Sequence, residues 1–154
     1  MNMNKLSLQL HATCDCVLVL RSMVNVLCAR SKLSAIEQNR VGLAVDELYA
    51  NIVRHGYRGE PKPLIFEADM PVEADGEVSL KFTFRDYAPV VDISGWDCGD
   101  IEPCCAENMT PGGLGIPLIH AIMDEVRHEA MEDGNLWMLL YRPKKIREGN
   151  CYET

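Results

Sequence analysis

The sequence predicts an α+β domain, and three features carry that reading. The chain opens with a polar-apolar alternation, continues with two long segments whose apolar residues recur at helical spacing, and then gives two pairs of alternating segments around one short apolar helix. Helices and hairpins therefore fall in separate runs, unlike the strict strand-helix alternation of a parallel sheet. At 154 residues the chain has the size of one ordinary domain whose core needs no disulfide or metal staple. Residues 1–154 are expected to form that single domain, with a polar tail over 143–154.

The elements follow in order. "KLSLQL", residues 5–10, alternates as a half-buried strand does and reads as an edge or second-layer strand. Asp15 stands where an N-cap would, and Val17, Leu20, Val24 and Leu27 mark a first helix that "ARSKLS" breaks. Ser34 with Glu37 is a capping-box pair, and Val41, Val45, Leu48 and Ile52 give the second helix an apolar stripe ending at His55-Gly56. After the turn "RGEPKP", the segments "LIFEADM" and "EVSLKFTF" read as a hairpin joined through "PVEADG". "IPLIHAIMDEV" reads as a short helix, with Pro117 tolerated in its first turn. "EVRHEAM" and "NLWMLLY", joined at Asp133-Gly134, close the domain as a second hairpin.

Charge and composition exclude several classes. A net charge of -8 offers no basic field to neutralise a nucleic-acid backbone or an anionic membrane, so a phosphate ligand should arrive with a cation. No run approaches the ~18 apolar residues of a membrane-spanning helix. The seven cysteines are odd in number and the N-terminus lacks an apolar leader core, so reduced thiols in the cytoplasm are expected. Neither Cys14-x-Cys16 nor Cys98, Cys104 and Cys105 matches a common structural zinc spacing.

Three pieces carry chemistry. Glu47, Asn51 and His55 are spaced one helical turn apart and project from one face. A carboxylate there can accept a proton, and an amide oxygen is a hard ligand suited to Mg²⁺; an isolated Glu-x-x-x-Asn is, however, more often the solvated side of a helix. His55 reads as a cap on the helix C-terminus ahead of a catalytic group. Next, Gly112, Gly113 and Gly115 lead straight into a helix, where backbone N–H groups and the helix dipole favour an anion. Finally, Asp86 stands where a strand ends and a long loop begins, placed to accept from an exocyclic amine. The two tryptophans, Trp96 and Trp137, read as packing residues.

In this order and spacing the three pieces resemble the ATP site of the GHKL superfamily, and "GGLGIPLIHAIMDEV" followed by a hairpin is similar to the anti-sigma-factor serine/threonine kinases over nearly the whole chain. The resemblance implies a Bergerat fold, a two-layer sandwich of a mainly antiparallel mixed sheet covered on one face by about three helices. It implies ATP and Mg²⁺ as cofactors, Glu47 as catalytic base, Asn51 as magnesium ligand and Asp86 as the adenine-binding aspartate. Gly112, Gly113, Leu114 and Gly115 would form the phosphate-binding loop, with Ala88 on the floor of the adenine pocket. The usual Asp-x-Gly is Asp86-Tyr87-Ala88 here, and the usual Gly-Thr is Gly134-Asn135. As partners the resemblance implies an antagonist phosphoacceptor protein and a sigma factor or similar regulator, with a homodimer in keeping with the family. The rival reading is a partner-binding switch that senses nucleotide without transferring phosphate. The segment from Ala88 to Pro111 reads as a lid over the nucleotide.

Overall fold

The computed structural model describes residues 5–90 and 115–144. Strands β1 (Leu6–Ala12), β2 (Lys62–Asp69), β3 (Leu80–Asp86), β4 (Glu125–Met131) and β5 (Gly134–Tyr141) accompany helices α1 (Val17–Arg30), α2 (Ala35–Asn51) and α3 (Gly115–Ile122). The strands pair in the order β1-β2-β3-β5-β4, and each of the four pairings is antiparallel. The first strand is an edge, as its alternation predicted.

Period-2 alternation decides which face is buried. Leu64, Phe66 and Ala68 of β2, Phe82, Phe84 and Asp86 of β3, and Trp137 and Leu139 of β5 share one face and are buried. Phe66 meets Phe84 with ring centroids 4.9 Å apart, tilted by 55°. The helices close this face: Leu20, Val24 and Leu27 of α1, Val41, Val45 and Leu48 of α2, and Ile119 of α3 belong to the same cluster. Truncating one of these phenylalanines would cost about 3–5 kcal/mol.

Local chemistry sets the helix ends. The Ser34 hydroxyl accepts from the Glu37 N–H, and the Glu37 carboxylate accepts from the Ser34 N–H, so the predicted capping box is present. The Tyr49 hydroxyl then ties α2 to the β1-α1 connection by donating to the Thr13 carbonyl. Asp15 does not cap α1. It lies inside a 3-10 turn, Cys14–Cys16, that precedes the helix, and Cys16 occupies the N-cap position. The third helix also ends earlier than its apolar pattern predicts, because Asp124 donates its N–H to the Leu140 carbonyl and the chain joins the sheet at Glu125.

The end of α2 is irregular in a way that matters for the site. Ile52–Gly56 continues the helix as one π-helical turn, closed by Tyr57 N–H donating to Ile52 O and Gly59 N–H to Val53 O. Arg58 and Gly59 then take left-handed conformations, with φ of 51° and 78°. These backbone bonds terminate the helix. His55 makes no side-chain hydrogen bond among the described residues, so the expected imidazole cap is replaced by backbone closure.

Candidate functional site

A cavity of about 360 Å³ opens between the C-terminal end of α2, the end of β3, the start of α3 and the start of β5. Its lining includes Asn51, His55, Asp86, Ala88, Asn135 and Trp137. Asn51 is thus brought to the same place as Asp86 and Ala88, some 35 residues further along the chain. A larger hollow of about 650 Å³ lies beside residues 73–79 and Arg142, but it holds none of the predicted site residues, and Glu73 there is paired with Arg142.

Asp86 is the last residue of β3 and only 1 % exposed. Its Oδ1 accepts from the Ala88 N–H at 3.0 Å and from the Asn135 amide at 2.9 Å, while Oδ2 accepts from the Trp137 indole at 2.9 Å. A buried carboxylate needs such donors. Trp137, read from sequence as a packing residue, is therefore also part of the polar site. Its signal was available in principle: in β5 it faces the same way as Asn135, which stands opposite Asp86.

Ala88 is accommodated. Arg58 alone among described non-glycine residues has a positive φ, so Ala88 sits in a conformation any residue adopts. Its methyl fills the space above Gly56, where an added Cβ would lie 2.9 Å from the Ala88 Cβ. The departure from a glycine at position 88 is matched by a glycine at position 56.

Glu47 and Asn51 face the first residue of α3. A Cβ built on Gly115 would lie 2.8 Å from Asn51 Nδ2 and 2.9 Å from Glu47 Oε2, so the backbone of α3 approaches both groups as only glycine permits. Neither side chain has a hydrogen-bond or ion-pair partner among the described residues. Glu47 also lines a neighbouring hollow of about 250 Å³, with Arg21, Asp46, Ala50 and Arg54. There Arg21 Nε binds Asp46 Oδ2 at 2.7 Å. Gly112, Gly113 and Leu114 lie outside the described residues, as does most of the predicted lid, including Trp96 and Cys98, Cys104 and Cys105.

The donor set fits a hard cation. An amide and a carboxylate, one turn apart and without partners among the described residues, are oxygen ligands of the kind Mg²⁺ takes alongside phosphate oxygens. No cluster of three His, Cys, Asp or Glu side chains able to hold a metal alone occurs among the described residues. Of the cysteines, Cys14, Cys16 and Cys28 are free thiols. Burial pushes the Cys28 thiol up to about 11, which makes it an unreactive core residue. No described helix is long and apolar enough to cross a membrane.

The sequence profile of the Histidine kinase-like ATPase domain matches residues 10–139. Curated relatives include the serine-protein kinase RsbW of Listeria monocytogenes serovar 1/2a, 29 % identical over 96 % of this chain and 94 % of the relative. RsbW of Listeria innocua serovar 6a is 28 % identical over the same shares. Among solved structures, the RsbU and RsbW domains of a Mycobacterium tuberculosis protein share the fold over 90 % of this chain, with a TM-score of 0.56 and 19 % identity. The present chain spans 32 % of that one.

Proposed function

The chain belongs to the Histidine kinase-like ATPase domain family, and from that premise we propose that it is an ATP-dependent serine/threonine protein kinase of the anti-sigma-factor type, acting in the cytoplasm. Its substrate would be a small antagonist protein, and its other partner a sigma factor or similar regulator. The relatives named serine-protein kinase support the activity. The observation that carries the reading is the approach of Gly115 to Glu47 and Asn51, which sets a carboxylate and an amide against the start of the α3 helix.

In this reading Asp86 and Ala88 hold the base of ATP, and the α3 N-terminus with Gly112, Gly113, Leu114 and Gly115 takes the phosphates through backbone N–H groups. Asn51 would hold Mg²⁺, which when bound would offset the negative charge of the triphosphate. Glu47 accepts the proton of the incoming serine or threonine hydroxyl as its oxygen bonds to the γ-phosphorus and the bond to the ADP oxygen breaks. The hollow lined by Glu47 and Ala50 gives the hydroxyl its approach.

Ala88 and Asn135, where the family usually has glycine and threonine, are the residues that would favour a switch that binds nucleotide without transfer. Both fit the site, since Ala88 packs on Gly56 and Asn135 donates to Asp86, and that weakens the rival. Incubating the chain with γ-labelled ATP, Mg²⁺ and the proteins that copurify with it tests the reading. Label on a partner serine or threonine supports the kinase, whereas ATP binding with no label on any partner supports the switch.

A further inference from the structure

Tyr57 follows the π-helical turn and is only 1 % exposed, yet each of its polar groups is in use. Its N–H donates to Ile52 O, and its carbonyl accepts from Glu60 N–H. Its hydroxyl donates to the Pro63 carbonyl and accepts from Tyr87 N–H at 3.0 Å. The direction of both hydroxyl bonds is fixed, because a carbonyl offers no proton and an amide N–H accepts none. Burial pushes the phenol up from its ordinary 10.0, so the proton that reaches Pro63 stays in place.

The two hydroxyl partners belong to neighbouring strands. Leu64 of β2 stands opposite Asp86, the last residue of β3, so Pro63 and Tyr87 would face each other at the next rung of the ladder. The hydroxyl stands between them and takes the place of that rung, linking N–H to carbonyl through its own oxygen and proton. A ladder held apart in this way does not continue by direct bonds, and β3 ends at Asp86. Just beyond, the Ala88 methyl rests on Gly56, and both residues line the cavity as one wall. Their contact keeps them from approaching further, but a few dispersion contacts do little to keep them together. The bond from Tyr87 to Tyr57, made by their immediate neighbours in the chain, holds that seam closed.

We propose that Tyr57 is a positioning residue for nucleotide binding, whose hydroxyl pins the corner after β3 against the end of α2 and keeps closed the wall that Gly56 and Ala88 build. This rests on the reading of the cavity as a nucleotide site. Without the hydroxyl, Tyr87 N–H and Pro63 O lose the group that bridges them, and residues 87–88 are free to move relative to Gly56. Asp86 keeps its donors from Asn135 and Trp137, so the ligand loses the shape of a wall and not the carboxylate. Glu47 and Asn51 precede the π turn on α2, so the help that Mg²⁺ gives to binding is unaltered. The loss is therefore the same for any nucleotide carrying the same ring, whatever its phosphates.

The test compares the full chain with Tyr57→Phe and Tyr141→Phe, each shown to unfold cooperatively. Tyr141 is also buried, and its hydroxyl donates to Glu37 at the end of the sheet where β3 begins, so its loss is a comparable one away from the cavity. Calorimetry with ADP, and separately with ATP and Mg²⁺, should show both nucleotides bound about tenfold more weakly by Tyr57→Phe, the worth of one hydrogen bond. Tyr141→Phe should bind both as the unaltered chain does. Undiminished affinity in Tyr57→Phe, an equal loss in Tyr141→Phe, or a loss confined to ATP with Mg²⁺ would each overturn the proposal and leave the nucleotide site standing. If the unaltered chain binds neither nucleotide, the nucleotide-site reading fails and this proposal fails with it. Should Tyr57→Phe not fold, hydrogen exchange in the unaltered chain decides. The Tyr87 amide, one residue beyond the strand, should exchange about a hundredfold more slowly than an unstructured one, and exchange at the unstructured rate would show that no tether exists.

Discussion

Gly56 and Ala88 meet so closely that a methyl group on Gly56 would lie 2.9 Å from the Ala88 Cβ, in a wall of the cavity built by both. Replacing Gly56 with alanine should therefore cost about 1–3 kcal/mol through overpacking. In Gly56→Ala/Ala88→Gly the methyl changes sides and most of the loss should return. Chemical denaturation of the two single variants and the double variant forms the cycle, and additive effects would contradict direct contact.

Gly115 makes a different prediction. It is a helical residue without positive φ, so alanine is locally acceptable and on propensity alone would stabilise the helix. Its methyl would nevertheless crowd the Asn51 amide and the Glu47 carboxylate. Gly115→Ala should melt within a few degrees of the unaltered chain yet bind ATP with Mg²⁺ at least tenfold more weakly, an order-of-magnitude figure for losing one favourable contact. Calorimetry and thermal melts on the same sample separate the two effects.

Glu37 links the start of α2 to the end of the sheet, accepting from Ser34 N–H at one oxygen and from the Tyr141 hydroxyl and Lys144 N–H at the other. Partial burial pushes its carboxyl up, but the Lys144 and Ser34 N–H groups and the Tyr141 hydroxyl outweigh that, holding it below the ordinary 4.5. A folded-state value below the unfolded one gives stability that is present above pH 4.5 and is lost as pH falls through the folded value. Glu37→Gln should flatten the acid limb of a stability-pH curve below about pH 4.5. Glu37→Ala should cost about 1–2 kcal/mol at neutral pH, as lost caps do.

The parts of the fold that local chemistry dictates were legible. Ser34 and Glu37 announce the start of α2 because both capping bonds lie within one turn, and strand alternation gave the buried face of the sheet. The helical run ends at Gly56 as its stripe predicts, but the π geometry of its last turn was not legible, because over a single turn the apolar spacing at Ile52 and Val53 suits an α or a π turn equally. The early end of α3 depends on Leu140, far along the chain. At the site, Glu47, Asn51 and Asp86 could be chosen for their own chemistry. The role of Trp137 comes instead from a strand pairing that no short motif encodes, since it reaches a partner 51 residues back.

The central claim is that Glu47 takes the hydroxyl proton in phosphoryl transfer and is dispensable for holding ATP. The direct measurement is transfer of γ-labelled phosphate to a copurifying partner by the unaltered chain, Glu47→Ala and Asn51→Ala, with ATP binding measured on the same preparations. The account predicts that Glu47→Ala loses transfer by about 10²-fold or more while binding ATP as before, and that Asn51→Ala loses magnesium-dependent binding as well. Transfer at the unaltered rate in Glu47→Ala would contradict it.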